Sequence, residues 1–489
     1  MTKLTFFGGI NEIGGNKILL EDQGTRIFLD FGMSFNQHAK YFTEYMPPRK
    51  CSSITDLISL GLLPDVKGIY RRDYTKHMNY KDVEKTSVDG VLISHGHMDH
   101  IGYIHYLRKD IPIHVSKETN GIMELFTRLG VSGFEEFTQF KPTFQLLPQK
   151  NGKGFKRRTA RDGVEERNIK IFEFGKKFKI GNLEIMPYRV DHSVPGATGF
   201  VIYTSKGPII YTGDLRFHGR HGEWSSNFVN KASETNPVAI LTEGTRITDS
   251  SAKTEGYVQR ESTKAIQGKK GVVIANFPIR DTERLLTFYN TAVANNRKLA
   301  IEYRQAMLLD LLKDSKLEGL PSSEDKNIEV FYPKKSWGLI GRKDFPQKQI
   351  LRDYRSWEQS YLSRKNVVSA KDISKNQDKY VVFMNYFQLN NLFDIKPKEG
   401  SVHIRSITEP FCEDMELDQK RIDNWLNLFK LAPEHKIHSS GHSSGTDIIK
   451  MIRKISPNRI FPIHTEHPEV FKKLPIKMTE VKYGKTYEI

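Results

Sequence analysis

The chain opens on short apolar runs punctuated by glycine. Leu4-Thr-Phe-Phe-Gly-Gly, Lys17-Ile-Leu-Leu-Glu and Arg26-Ile-Phe-Leu-Asp-Phe-Gly show the two-residue period of half-buried strands. Gly8-Gly9 and Gly14-Gly15 read as turn glycines, because no phosphate-gripping helix follows them. Residues 36 to 90 are less regular. They carry Pro47-Pro48, several aromatics and a basic stretch, Tyr70-Arg-Arg-Asp-Tyr-Thr-Lys-His, and predict an insertion or long loop. Gly90-Val-Leu-Ile-Ser94 then predicts a short buried strand, with a helix beginning near Asp99. A second loop is expected from Gln149 to Arg167. Lys150, Lys153, Lys156, Arg157, Arg158 and Arg161 fall there without apolar period, as a solvated loop or a phosphate-contacting rim.

Strand patterns return from Gly181 to Thr242, at Leu183-Glu-Ile-Met-Pro-Tyr, Phe200-Val-Ile-Tyr, Pro208-Ile-Ile-Tyr-Thr and Val238-Ala-Ile-Leu-Thr. After about residue 245 strands alternate with helical segments. Gly271-Val-Val-Ile-Ala precedes a helix over 281–296, and Leu299-Ala-Ile-Glu-Tyr precedes one over 305–312. Tyr380-Val-Val-Phe-Met precedes one over 389–393. That alternation predicts a second domain with a parallel sheet.

Composition narrows the class. At 489 residues the chain holds roughly three domains' worth at about 150 residues each. No apolar run approaches the roughly 20 residues that cross a bilayer, and no basic-then-apolar leader opens the chain. No membrane partner and no signal peptide are expected. Two cysteines, Cys51 and Cys412, exclude a disulfide framework and a cysteine-rich zinc site. They fit a reducing cytoplasm, and any metal must be held by histidine and carboxylate. Net charge is +17, which favours polyanionic partners, nucleic acid first.

The densest chemical signal is Ser94-His95-Gly-His97-Met-Asp99-His100. Three histidines and an aspartate fall between a strand end and a helix start, so they can diverge toward two metals. Imidazole and carboxylate suit zinc, and also manganese or iron. One segment cannot close such a site. His192, Asp214 and His464 each stand just past an apolar strand and can complete it.

The H-x-H-x-D-H run, the later His192, the Gly213-Asp214 pair and the late His464 resemble the metallo-β-lactamase superfamily. The resemblance implies an α/β fold, an αββα sandwich, with two metal ions. Carried over by position, His95, His97 and His192 resemble ligands of the first metal. Asp99, His100 and His464 resemble those of the second, Asp214 the bridging carboxylate, and Asp30 a supporting aspartate. Leu241-Thr-Glu243-Gly-Thr and Ser439-Ser-Gly-His442 resemble motifs of the β-CASP branch. His438 and His442 share a duplicated H-S-S-G. His442 precedes His464 by the 22 residues associated with that branch, which leaves His438 as a supporting residue. Between them, Thr446 is expected to cap a helix with Ile448, Ile449, Ile452 and Ile455 inward, before a last strand delivers His464.

Within the branch, Gly8-Gly-Ile-Asn-Glu-Ile-Gly-Gly-Asn16, Ile404-Arg-Ser-Ile-Thr-Glu-Pro-Phe and His-Ser-Ser-Gly-His resemble the ribonuclease J family, and residues 42 to 74 its archaeal members. The implied layout is a metallo-β-lactamase domain over 1–244, an inserted β-CASP α/β domain over 245–430, and a completing part over 431–489. The chain ends 25 residues after His464, so dimer contacts attributed to the further C-terminal domain usual in bacterial members are not assumed. A homodimer remains compatible with the resemblance.

The implied activity is metal-dependent hydrolysis of single-stranded RNA, 5′-to-3′ and preferring a 5′-monophosphate, by two-metal activation of water. Two divalent ions are implied, Zn²⁺ first, with Mn²⁺ or Mg²⁺ as alternatives. The catalytic set is His442, Glu243, Asp214 and Asp99, with His442 as general acid oriented by Glu243. The resemblance also implies a pocket for the 5′-phosphate beside His442, with hydroxyls from Ser440, Ser443 and Ser444 and backbone access at Gly441. Three rivals stand beside this reading. A hydrolase of small esters on the same sandwich fits poorly with the charge and the long insertion between Asp214 and His442. A β-CASP endonuclease on RNA or DNA lies closer. A non-catalytic RNA-binding paralogue should lack ligands, whereas all seven positions are filled.

Overall fold

The computed structural model describes residues 1–489 except 44, 50, 51, 77, 79, 81, 82, 131–135, 143–145, 158–162, 316 and 410–412. Cys51, His77, Arg158, Arg161, Phe411 and Cys412 therefore lie outside the described residues. The chain divides into two compact units. One comprises Met1–Phe217, His221–Ser251 and Gly441–Ile489; the other comprises His218–Arg220 and Ala252–Ser440.

The first unit is an αββα sandwich. One seven-stranded sheet runs Ile169–Ile171, Ile113–Val115, Gly90–Leu92, Thr25–Leu29, Ile18–Asp22, Lys3–Phe6, Thr486–Glu488. The other runs Phe178–Ile180, Leu183–Arg189, Thr198–Thr204, Gly207–Tyr211, Ala239–Thr242, Arg459–Pro462, Lys477–Met478. Side-chain alternation explains the layering. Ile18, Leu20, Ile27 and Leu29 of the first sheet share a core with Ile209, Tyr211, Leu241 and Phe461 of the second. The intervening Leu19 and Phe28 point to the opposite face, where they meet Ile101 and Met123. Ile210, Ile240 and Ile460 likewise turn outward onto helices Gly222–Ser233 and Gly445–Ile455, through Phe228, Ile448 and Ile452. Both sheets are thus apolar on both faces, which requires helices outside each.

Two expected loops differ. Within 36–90, helix Ser53–Ser59 and the turns after it bury Ile54, Leu57, Leu62, Leu63, Tyr70 and Tyr74 against the first sheet. Arg71, drawn from the basic stretch, is fully buried and pairs with Asp73 at 2.9 Å and Glu136 at 3.1 Å. In the Gln149–Arg167 stretch, Lys150, Lys153, Lys156 and Arg157 are exposed. Arg167 instead turns inward and donates to the carbonyls of Glu136, Leu107 and His105.

The second unit holds a seven-stranded sheet in the order Val367–Ser369, Ile328–Tyr332, Lys298–Ile301, Tyr380–Phe383, Val273–Asn276, Val402–Arg405, His435–Lys436. Every neighbouring pair in it is parallel. Among the described residues, no helix is long and apolar enough to cross a membrane.

Candidate metal centre

Strand ends deliver the site. The chain leaves Gly90–Leu92 into Ser94-His95-Gly96-His97, and helix Met98–Ile101 carries Asp99 and His100. His192 follows Leu183–Arg189, Asp214 follows Gly207–Tyr211, Glu243 follows Ala239–Thr242, and His464 follows Arg459–Pro462. His442 precedes helix Gly445–Ile455, whose buried Ile448, Met451, Ile452 and Ile455 hold it to the sheet. All these residues belong to the first unit.

The structure brings seven of them into two groups. Nδ1 of His97 lies 3.0 Å from Nε2 of His95 and 3.1 Å from Nε2 of His192. Nε2 of His464 lies 3.1 Å from Oδ2 of Asp99. Asp214 faces both groups. Its Oδ2 is 3.1 Å from Nε2 of His100, 3.4 Å from His464, 3.6 Å from His95 and 4.0 Å from His192. The donor atoms of each group lie within 4.8 Å of one another, spacing that can hold an ion.

Unsatisfied atoms test whether a cation fits. Nε2 of His100 and both carboxylate oxygens of Asp214 are buried and make no hydrogen bond. Groups so placed are costly unless something satisfies them. A divalent ion does so, and the mixed imidazole and carboxylate donors suit one.

The surrounding residues fix the tautomers. Nδ1–H of His100 donates to Oδ2 of Asp30 at 2.6 Å, and Nδ1–H of His192 donates to the Gly441 carbonyl at 2.5 Å. Nδ1 of His464 pairs with the Thr245 hydroxyl at 2.8 Å. In each case the far nitrogen keeps its lone pair for a ligand role. Asp30 also accepts from the backbone N–H and hydroxyl of Ser94 at 2.7 Å and from the Tyr211 hydroxyl. Asp30 and His464 hold positive φ, 55° and 51°, a left-handed conformation unusual for such residues and typical of functional sites.

Two glycines are set by close approach. A Cβ on Gly14 would fall 2.6 Å from Oδ2 of Asp99, and one on Gly441 would fall 2.6 Å from the Ser193 hydroxyl. The Gly8–Asn16 signature grips the same cluster through its backbone. His464 N–H donates to Gly9 O, and Asn16 N–H donates to Asp99 O.

Electrostatics sort the imidazoles. Burial, and then the charge of neighbouring His100, hold His95 well below the ordinary histidine value. Burial and His97 do the same to His192. Burial also opposes protonation of His442, but Glu243 at 2.9 Å outweighs it and pushes His442 up to about 9. The His442 side chain is 20% exposed and its Nδ1 is 3.9 Å from Asp214, so substrate can reach it beside the cluster. His442 also meets His192 edge-on and His464 at a tilt, at 5.1 and 5.4 Å between ring centres.

The expected phosphate donors divide. Ser440 and Gly441 are partly exposed. Ser443 is buried, and its N–H and hydroxyl both donate to the Leu215 carbonyl. Ser444 is the cap of helix Gly445–Ile455: its hydroxyl accepts from Asp447 N–H and donates to the Asp447 carboxylate. It displaces Thr446, whose hydroxyl bonds the Ser250 carbonyl. Neither Ser443 nor Ser444 turns outward as a donor. His438 lies in the second unit, 3.2 Å from the buried Arg284 guanidinium.

Sequence reasoning missed Thr245, Tyr211, the Gly441 carbonyl and the Asp191–Arg216 pair. That pair is buried at 2.8 Å and ties the segment of His192 to that of Asp214. Its only advance sign was the position of each residue one or two places from a candidate ligand.

Fold and site together define a metal-dependent hydrolase. The chain belongs to the metallo-β-lactamase superfamily, whose model matches residues 64–308. A second model, the Zn-dependent metallo-hydrolase RNA specificity domain, matches residues 431–474, which include His442 and His464. Along nearly its whole length the chain is similar to ribonucleases J. The Mycoplasma pneumoniae ribonuclease J is 22% identical over 95% of this chain and 68% of its own length. The Pyrococcus abyssi ribonuclease J is 21% identical over 95% of this chain and 90% of its own. A crystal structure of an Enterococcus faecalis protein of unknown function shares the fold, with TM-score 0.71 and 22% identity over 99% of both chains.

Proposed function

We propose that this metal-dependent ribonuclease degrades single-stranded RNA from its 5′ end and prefers a 5′-monophosphate. The observation that carries the reading is the position of His442, paired with Glu243 and partly exposed beside a cluster that can hold two ions. His95, His97 and His192 would hold one cation and Asp99, His100 and His464 the other, with Asp214 between. Zinc suits these donors first, with manganese or magnesium as alternatives. When bound, the pair supplies an activated water and offsets charge on the phosphate.

The chain's own residues do the rest. Water gives up a proton to solvent and its oxygen adds to phosphorus in line as the P–O3′ bond breaks. The leaving 3′-oxygen takes its proton from His442, which Glu243 keeps charged and oriented. Asp30 holds His100 in place throughout. Ser440, the backbone at Gly441, and cationic His442 are the remaining candidates for the 5′-phosphate. The +17 charge fits a polyanionic substrate, and the setting proposed is the cytoplasm.

The test uses one RNA labelled at its 3′ end and bearing a 5′-monophosphate, 5′-triphosphate or 5′-hydroxyl, with and without chelator. Chelator-sensitive loss of the monophosphate RNA without discrete labelled intermediates supports the reading. Internal cuts indifferent to the 5′ group would replace it with an endonuclease.

A further inference from the structure

The order in which the chain adds strands to the parallel sheet of the second unit switches direction between two neighbouring strands. Lys298–Ile301 pairs with Tyr380–Phe383. The chain leaving the first proceeds outward to Ile328–Tyr332, on one side. The chain leaving the second proceeds the other way, to Val402–Arg405 beyond Val273–Asn276. Loops that diverge in this manner open a crevice at the carboxyl ends of the strands, the usual ligand position in open α/β sheets.

Three loops share that edge and are tied together. Nε2 of Gln388, after Tyr380–Phe383, donates to Oε2 of Glu302, after Lys298–Ile301, at 2.5 Å. Lys334, after Ile328–Tyr332, pairs with Asp394, which follows the Gln388 segment. On this braced edge two large aromatic side chains stand in solvent: Trp337 is 80% exposed and Phe387 is 85% exposed. Trp337 sits in a basic segment. Residues 333–348 contain Lys334, Lys335, Arg342, Lys343 and Lys348; the first three pair with Asp394, Glu358 and Asp344, while Lys343 and Lys348 stand exposed.

Exposed rings among cations describe the surface that holds a single strand of nucleic acid. Bases stack on aromatic faces without regard to sequence, and cations follow the backbone. A protein-docking patch would favour contiguous apolar area with few charges at its centre. We propose that this edge of the second unit binds single-stranded RNA, with Trp337 and Phe387 as stacking surfaces. The proposal rests on the ribonuclease reading for the identity of the strand.

The test measures binding by fluorescence anisotropy on the full chain with chelator present, so that no cleavage intervenes. The probes are oligoribonucleotides of about 20 and about 4 nucleotides, which exceed and underfill a typical single-strand site. Trp337→Ala and Phe387→Ala should each weaken binding of the long probe roughly tenfold, with little change for the short one. Trp337→Phe, which keeps a ring, should restore most of the loss. Both rings are exposed, so melting temperatures should stay put. Unchanged affinity for the long probe in both alanine variants overturns the proposal. A change in mass by light scattering at unchanged RNA affinity also overturns it, by making the patch a protein contact. The 5′-to-3′ reading stands or falls separately, on the products of the unsubstituted chain.

Discussion

Nδ1 of His442 lies 2.9 Å from Oε2 of Glu243, whose other oxygen accepts the Leu215 N–H. Glu243 is fully buried, so it can turn little and its charge is poorly screened. The carboxylate is therefore a fixed electrostatic support for a protonated His442. Glu243→Gln keeps the shape and removes the charge. His442 must be protonated to act as acid, and it is held up to about 9, so activity should fall as pH rises past that value. In Glu243→Gln that alkaline limb should move to lower pH, and kcat should drop by roughly 10²-fold. A pH–rate profile with its limb unmoved would remove the acid role from His442.

Asp30 acts on the second group of proposed ligands without belonging to it. It orients His100 and anchors Ser94, whose hydroxyl lies 3.0 Å from His95. Asp30→Asn should weaken metal affinity by roughly 10- to 100-fold. Competition with a chromophoric chelator reads this directly. Wild-type affinity in the variant would leave Asp30 a purely structural turn residue.

Ser444 and Ser440 should separate in their effects. Ser444→Ala removes a helix cap and should cost about 1 kcal/mol of stability while leaving preference for a 5′-monophosphate intact. Ser440→Ala should do the reverse. Thermal melts and the ratio of rates on monophosphate and hydroxyl RNA distinguish them. Lost end preference in Ser444→Ala would return that hydroxyl to the phosphate pocket.

Lys17 gives stability a distinct pH signature. Its ammonium is buried and donates to the Gly15 and Gly32 carbonyls, and burial lowers it to about 8, only partly opposed by Glu12. Below about pH 8 Lys17 is charged in both folded and unfolded chains, and the burial cost is complete. From about 8 to 10.5 the folded chain releases the proton and the unfolded chain keeps it, so stability gains with rising pH. Over that window the gain is of order 3 kcal/mol. Denaturant midpoints across the window should rise for wild type relative to Lys17→Met. Parallel curves would contradict it.

The sequence exposed what is local and periodic. His95 to His100 fall within six residues, and strands such as Ile18–Asp22 and Thr25–Leu29 alternate cleanly, so the cluster and the sandwich could be read in advance. Helices over residues 36–90 could not be. Those at Phe35–Ala39, Ser53–Ser59 and Arg72–Thr75 have 5, 7 and 4 residues, too short to show a helical period. Orientation was hidden as well. Gly441 reaches His192 across 249 residues, and Thr245 reaches His464 across 219. Ser443 and Ser444 show the same limit at close range, since a hydroxyl in a sequence carries no direction.

The most direct measurement counts metal ions on the chelator-stripped chain by calorimetry with zinc and then manganese, following RNA cleavage on the same samples. Two ions should bind per chain, with cleavage appearing as the second is taken up. Asp99→Ala should lose one ion and cleavage while still binding RNA. Cleavage by the stripped chain, or unchanged cleavage by Asp99→Ala, would contradict a two-metal centre built on these residues.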